Sequence, residues 1–216
     1  VQPLGELLQE TDSIFLVDGV TSLGGMSVEM DAWGVDAFYS GTQKCLSCPP
    51  GLAPLSFSEK AVQKLRNRKS KVPNWYLDLT MILDYWRGES RAYHHTAPIN
   101  MLYALYQALQ LVLDEGPEEV FQRHLDNHRA LVNGVEKLGL SMLVHPDHRL
   151  PMLNAVRVPE GVDEARVRRH LRTEEKIEIG AGLGPLAGKI WRIGLMGHTS
   201  RPESVQRVLE ALEEAL

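Results

Sequence analysis

Apolar residues are distributed along the chain in two different textures. Short apolar runs, rich in β-branched and aromatic residues and bounded by Asp, Gly or Pro, predict strands at SIFLVDGV (13–20), VDAFYSG (35–41) and LAPLSFS (52–58). Ahead of them GELLQETD (5–12) is short and amphipathic and predicts a helix. Apolar spacing then turns helical. SEKAVQKLRNRK starts at Ser58 and ends in basic residues, which suits the helix dipole. INMLYALYQALQLVLDEG (99–116) stops at Gly116-Pro117; Asn100, Gln107 and Gln110 interrupt it and it is too short to span a bilayer, so it predicts a buried helix. PEEVFQRHLDNHRALVNGVEKLG opens on Pro117 and closes at Gly139.

Beyond Gly139 the texture changes. SMLVHP, LNAVRVP, KIEIG and KIWRIGLMG read as short strands, with the helical DEARVRRHLRTE between them and RPESVQRVLEALEEAL behind them. This alternation predicts a small α+β domain over 116–216, following a first region over 1–115. The overall class is α/β.

Composition removes several functions. Charged residues are 24 % of the 216, of both signs throughout, and the net charge of −5 comes without a basic tract, so nucleic acid is excluded as an expected partner. Two cysteines do not make a disulfide framework, which suits a reducing compartment. The first residue is Val1, with no signal peptide behind it, so the start reads as a cut edge.

Two of the predicted strands end in ionisable residues. Asp18 closes SIFLVD, and Lys44 follows VDAFYS in the turn SGTQKCLSCPPG (40–51). In open, mostly parallel α/β sheets, ligands sit outside the carboxyl ends of the strands. If the two strands are neighbours, a carboxylate and an amine share one crevice, as a pyridoxal phosphate site requires. On residue type alone, a turn-capping Asp and a solvated lysine are the commoner outcome.

The segment VDAFYSGTQKCLSCPPGLAPL resembles the lysine-attachment segment of the class V aminotransferases, which are fold-type I pyridoxal-phosphate enzymes. It shares Asp36, Gly41, Thr42, Gln43 before Lys44, and Gly51. LVDGVTSLGG carries the matching Asp18, and RAYHHTAP (91–98) and GLGPLAGKIWRIGLMG (182–197) resemble further segments of the family. The resemblance implies a partial large domain with a mostly parallel sheet, followed by a small α+β domain. It implies a transaminase that passes an amino group from alanine or serine to glyoxylate or pyruvate in ping-pong order, with Lys44 holding the cofactor as a Schiff base. Asp18 would pair with the pyridine nitrogen, with Val20 among the cofactor contacts, and Gln43 would help to hold the phosphate. Tyr93 and Thr96 would reach the phosphate of a neighbouring subunit's cofactor in a homodimer, and Arg192 would clamp the substrate carboxylate, for which a planar two-pronged cation is suited. The family is found in peroxisomes and mitochondria. It also implies a glycine-rich phosphate loop and a ring-stacking aromatic upstream of Val1, so the chain reads as the C-terminal part of a longer enzyme that binds cofactor poorly by itself.

Other motifs carry less. Cys45 and Cys48 have redox spacing, but Pro49-Pro50-Gly51 forbids the helix that would activate a thiol, so both are expected as packing. His124 and His128 are four apart, but Leu125 stands where a metalloprotease needs glutamate, and surface or edge-of-core histidines are expected; no metal is implied. His145 and His148 are expected as turn residues. GLGPLA (182–187) fits a dinucleotide pattern only formally, because it leads to a strand. Two alternatives remain at this point. In a cysteine desulfurase a histidine usually precedes the cofactor lysine, where Gln43 stands here; a non-catalytic interaction domain would have no use for Asp18, Lys44 and Arg192 together.

Overall fold

The computed structural model describes residues 1–87 and 92–216. Arg91, which opens RAYHHTAP, lies outside them.

The first sheet has three strands in the order β1 (Leu16–Asp18), β2 (Ala37–Tyr39), β3 (Leu55–Phe57). β1 and β2 run parallel, pairing Leu16 with Ala37 and Asp18 with Tyr39, whereas β2 and β3 are antiparallel. The sheet is thus mixed, not mostly parallel. The cause lies in the connections. β2 returns to β3 through the loop over 40–54 without a crossover helix, and a return of this kind makes an antiparallel pair. α1 (Gln2–Leu8) precedes this sheet and sits nearer the N-terminus than the amphipathic run predicted.

Asp36 ties the sheet to the next helix. Its buried carboxylate accepts from Phe15 N–H (3.0 Å), Ser58 Oγ (2.8 Å) and Lys60 Nζ (3.2 Å). Ser58 in turn caps α2 (Glu59–Arg66), accepting from Ala61 N–H at 3.1 Å. Burial by itself would raise the Asp36 pKa, but those three donors outweigh it and hold it below the ordinary value. A depressed pKa contributes stability that is present above the unfolded carboxyl's pKa and lost as pH falls through the folded one. Asp36→Ala orphans the Phe15 and Ser58 donors at about 1–3 kcal/mol each. Urea melts should show that loss at pH 7 and a smaller difference from wild type below pH 4.

α3 (Leu79–Arg87) was not apparent in the chain's periodicity; it follows a short turn over Trp75–Leu77. α4 (Ile99–Glu115) and α5 (Pro117–Lys137) meet at Gly116, whose φ of +92° favours glycine. The expected burial of α4 does not hold. Tyr103, Tyr106, Leu111 and Leu113 are each more than half exposed, and only Ala108 is buried. Sequence pattern reports that an apolar face wants cover, not where the cover comes from.

The second sheet is wholly antiparallel, in the order β4 (Leu153–Arg157), β6 (Ile190–Gly194), β5 (Gly180–Ala181). SMLVHP forms no strand and contributes only a bridge from Met142 to Val156. α5, α6 (Glu164–Thr173) and α7 (Pro202–Ala215) contribute Leu131, Val135, Val167, Leu171, Val208 and Leu212 to one core with Val156, Trp191 and Ile193 of the sheet.

Candidate active site

β1 ends on Asp18, as its bounding Gly19 suggested. Its carboxylate accepts from the Tyr39 hydroxyl at 2.7 Å and from Val20 N–H at 2.9 Å. These two donors, the tyrosine foremost, keep the exposed carboxyl below its ordinary pKa, so Asp18 is an anion at neutral pH. Tyr39 was not singled out in the sequence. Its signal lay in the register: once β1 and β2 are parallel, the last residues of both strands stand side by side. Gly19 is required by a close approach, since a Cβ there would stand 2.1 Å from Cζ of the buried Phe38 ring.

Lys44 sits half-buried on the loop that leaves β2. Thr42, fully buried, closes this loop by donating from Oγ1 to Pro49 O at 2.9 Å and accepting at its carbonyl from Cys48 N–H at 3.0 Å. Ser40 Oγ donates to Gly19 O at 3.0 Å, and Cys45 Sγ lies 3.3 Å from Thr21 O. The turn after Asp18 and the loop that carries Lys44 are therefore packed on each other. Gln43 is exposed beside Gly41, where a Cβ would come within 2.8 Å of its amide oxygen.

The two cysteines are buried and free, as packing groups would be. Burial pushes the Cys45 thiol up to about 11. At pH 8 that leaves roughly one thiol in a thousand ionised, and only the thiolate reacts. Iodoacetamide should therefore modify Cys45 at least ~100-fold more slowly in the native protein than in urea, measured by peptide mass mapping. Comparable rates would show that the loop is open.

Arg192 lies on β6 between the buried Trp191 and Ile193, and its Nε donates to Ala181 O at 2.7 Å on β5. Gly180 leaves room beside it, because a Cβ there would crowd Nη2 at 3.3 Å. The chain beyond β6 reaches the lysine loop: His198 N–H donates to Ser47 Oγ at 2.7 Å. Asp18, Lys44 and Arg192 thus belong to three segments linked through one set of loops.

Tyr93 and Thr96 form no hydrogen bond with Asp18, Lys44 or Arg192 among the described residues. Their hydroxyls bond each other at 2.7 Å and both residues are exposed. Between them, His94 is buried and stacked on Trp75 with ring centroids 4.4 Å apart, a packing role that its polarity concealed. His124 and His128 are not at the surface either. The ring Nδ1 atoms lie 2.7 Å from Val120 O and 2.6 Å from Asn154 Oδ1 respectively, so hydrogen bonds inside the core explain their burial.

The family model of the class V aminotransferases matches residues 1–205. The alanine–glyoxylate aminotransferase of Drosophila melanogaster is 42 % identical over all of this chain and 56 % of its own length. The (S)-ureidoglycine–glyoxylate transaminase of Bacillus subtilis is 38 % identical over all of this chain and 56 % of its own length. The crystal structure of an alanine–glyoxylate aminotransferase from Nostoc sp. superposes with a TM-score of 0.96 at 50 % identity, over 99 % of this chain and 56 % of that one. The chain spans about half the length of these relatives, and its fold is part of the fold-type I arrangement. On the strength of the matched residues and the superposed fold, the chain belongs to the class V aminotransferase family.

Proposed function

We propose that this chain is part of a pyridoxal-phosphate transaminase that moves an amino group from alanine or serine to glyoxylate or pyruvate. The observation that carries the proposal is Asp18, kept anionic by Tyr39 and Val20 at the end of β1, beside the loop of Lys44. A fixed anion, an amine and a strand-borne guanidinium form the donor set that this cofactor and an amino-acid substrate need.

Bound there, pyridoxal phosphate supplies an electron sink for the electrons released at the substrate α-carbon. The residues do the rest. Asp18 pairs with the protonated pyridine nitrogen, next to Val20. The Lys44 amine would hold the cofactor covalently and, as a free amine, would take the proton from the substrate α-carbon and deliver it to the cofactor's aldehyde carbon. Arg192 binds the substrate carboxylate and so orients that proton toward the amine. Gln43 contributes to the phosphate site. One site serves donor and acceptor in turn, which gives ping-pong order.

The same proposal includes a homodimer. An exposed apolar α4 supports it, as do the exposed hydroxyls of Tyr93 and Thr96: neither bonds to Asp18 or Lys44 among the described residues, and a second copy's phosphate would give them a partner. It places the division between large and small domains at Gly116. It also places the protein, by family resemblance, in the peroxisome or mitochondrion, with the cytoplasm as the remaining choice; no helix among the described residues is long and apolar enough to cross a membrane.

Adding pyridoxal phosphate to the full-length protein should give a yellow species that borohydride fixes to one lysine, and transfer from alanine or serine to glyoxylate or pyruvate should follow. Fixation to a lysine other than Lys44 would overturn the assignment. A desulfurase reading is disfavoured by the two cysteines of this chain, which are both buried.

A further inference from the structure

α5 presents three polar side chains to the turn that follows β6. Arg123 Nη1 donates to the carbonyls of Gly197 (2.9 Å) and Ser200 (2.8 Å), with its other nitrogens on Glu115. Asn127 Nδ2 donates to Ser200 O at 2.9 Å. His124, with no exposed surface, has Nδ1 2.7 Å from Val120 O and Nε2 2.9 Å from Gly197 N. A carbonyl only accepts and an amide N–H only donates, so the ring must carry its proton on Nδ1 and a lone pair on Nε2.

The turn so held bears on the lysine loop without slack. Gly197 has a φ of +54°, and a Cβ on it would stand 1.9 Å from Ser47 Oγ and 2.6 Å from Cys45 O. Lys44 precedes Cys45 directly. A continuous line of contacts therefore runs from Val120 through His124 and Gly197 to the loop of the cofactor lysine.

We propose that His124 is a positioning residue for the Lys44 loop, acting through Gly197, and that only its neutral form with the proton on Nδ1 performs this role. The inference rests on the proposed function for the importance of Lys44, but assigns a role to α5 that the transamination chemistry does not. Protonation would set a second N–H against that of Gly197 and abolish the contact. Burial holds the imidazole below its ordinary pKa, assisted by Arg123 and opposed by the Val120 bond and by Glu115. The other charged or titratable groups at this junction are Cys45 on the loop, His198 and Arg201 on the turn, and His128 one turn further along α5. A depressed folded pKa means that the contact is complete above the ordinary histidine range and is lost as pH falls through the folded value.

Amide exchange on the full-length protein without cofactor tests this, comparing wild type, His124→Gln and His124→Asn at pH 8 and pH 5 after correction for intrinsic rates. Glutamine reaches the level of Nε2 with an oxygen that accepts from Gly197 and does not titrate. Asparagine reaches only the level of Nδ1 and keeps the Val120 contact alone. Peptides covering 40–51 and 196–200 in wild type should exchange about tenfold faster at pH 5 than at pH 8, because opening lets the imidazole charge at its ordinary pKa of about 6.5, while α6 stays protected. The Asn variant should be fast at both pH values and the Gln variant slow at both. In steady-state transfer the Asn variant should lower kcat and leave KM for the amino acid within about twofold, since Arg192 is untouched.

Equal protection of Asn variant and wild type, or a Gln variant as unprotected as Asn, would overturn the proposal. Should both variants fail to fold, the wild-type comparison decides, and unchanged exchange at 196–200 between the two pH values overturns it. Intact amino transfer in Lys44→Ala would instead overturn the proposed function and leave the exchange result standing.

Discussion

Lys44→Ala is expected to abolish borohydride-fixable cofactor and to lower amino transfer by roughly 10²–10⁴-fold or more, the scale of a lost proton-transfer group with the loss of the nucleophile added. The fold should survive the change. Lys44 is half-buried, and the loop is closed by Thr42 and Cys48, not by the lysine side chain. Melting temperature should therefore stay near that of wild type while activity disappears. The decisive measurements are peptide mapping after reduction and a full time course with alanine and glyoxylate. Residual labelling at another lysine with retained transfer would show that the amine in this turn is not the one that matters. Unfolding in place of inactivation would show that the loop depends on Lys44 structurally.

The second large effect is on stability. Trp191 is fully buried at the centre of the second sheet, packed among Leu131, Val167, Leu171 and Leu212, and its indole N–H faces Glu164 O at 3.4 Å. Trp191→Ala should cost about 3–5 kcal/mol, because the transfer term and the cavity add. At about 2–4 °C per kcal/mol for a chain of this size, the midpoint should fall by roughly 6–20 °C. Trp191→Phe should recover much of the loss, since most of the volume returns. The loss also reaches the site through the backbone. Arg192 is the next residue on β6, and a loosened strand presents its guanidinium less rigidly, so KM for the amino acid should rise in Trp191→Ala. A fall in melting temperature below about 1 kcal/mol equivalent would mean that the core closes around the gap.

Much of the local structure was legible because local patterns have local causes. Ser58 caps α2, Pro117 opens α5 and Gly116 separates α4 from α5 through interactions spanning a few residues. Those positions carry their own evidence in residue type. The strand ends at Asp18 and before Lys44 were legible for the same reason, since a β-branched apolar run gives way to small and polar residues. The strand expected at KIEIG (176–180) appears only as the two-residue β5 at its far end, Gly180–Ala181, and SMLVHP lost its strand, because a strand exists only where a partner offers its backbone. α4 illustrates the opposite error. Its apolar spacing is real, yet Tyr103, Tyr106 and Leu111 stay more than half exposed among the described residues.

The sequence by itself determined the residues with chemistry to offer: the carboxylate of Asp18, the amine of Lys44, the guanidinium of Arg192, and the turns and caps that delimit their elements. The tertiary structure alone decided what those groups touch. It gave Asp18 the hydroxyl of Tyr39, 21 residues away, and seated Ser47 against His198, 151 residues away. It also placed His124, expected at the surface or the edge of the core, fully in the interior with both nitrogens committed. The physical reason is range. Propensity, capping and amphipathic spacing act over one or two turns of chain, whereas register, burial and the state of a titratable group depend on atoms that sequence distance does not order.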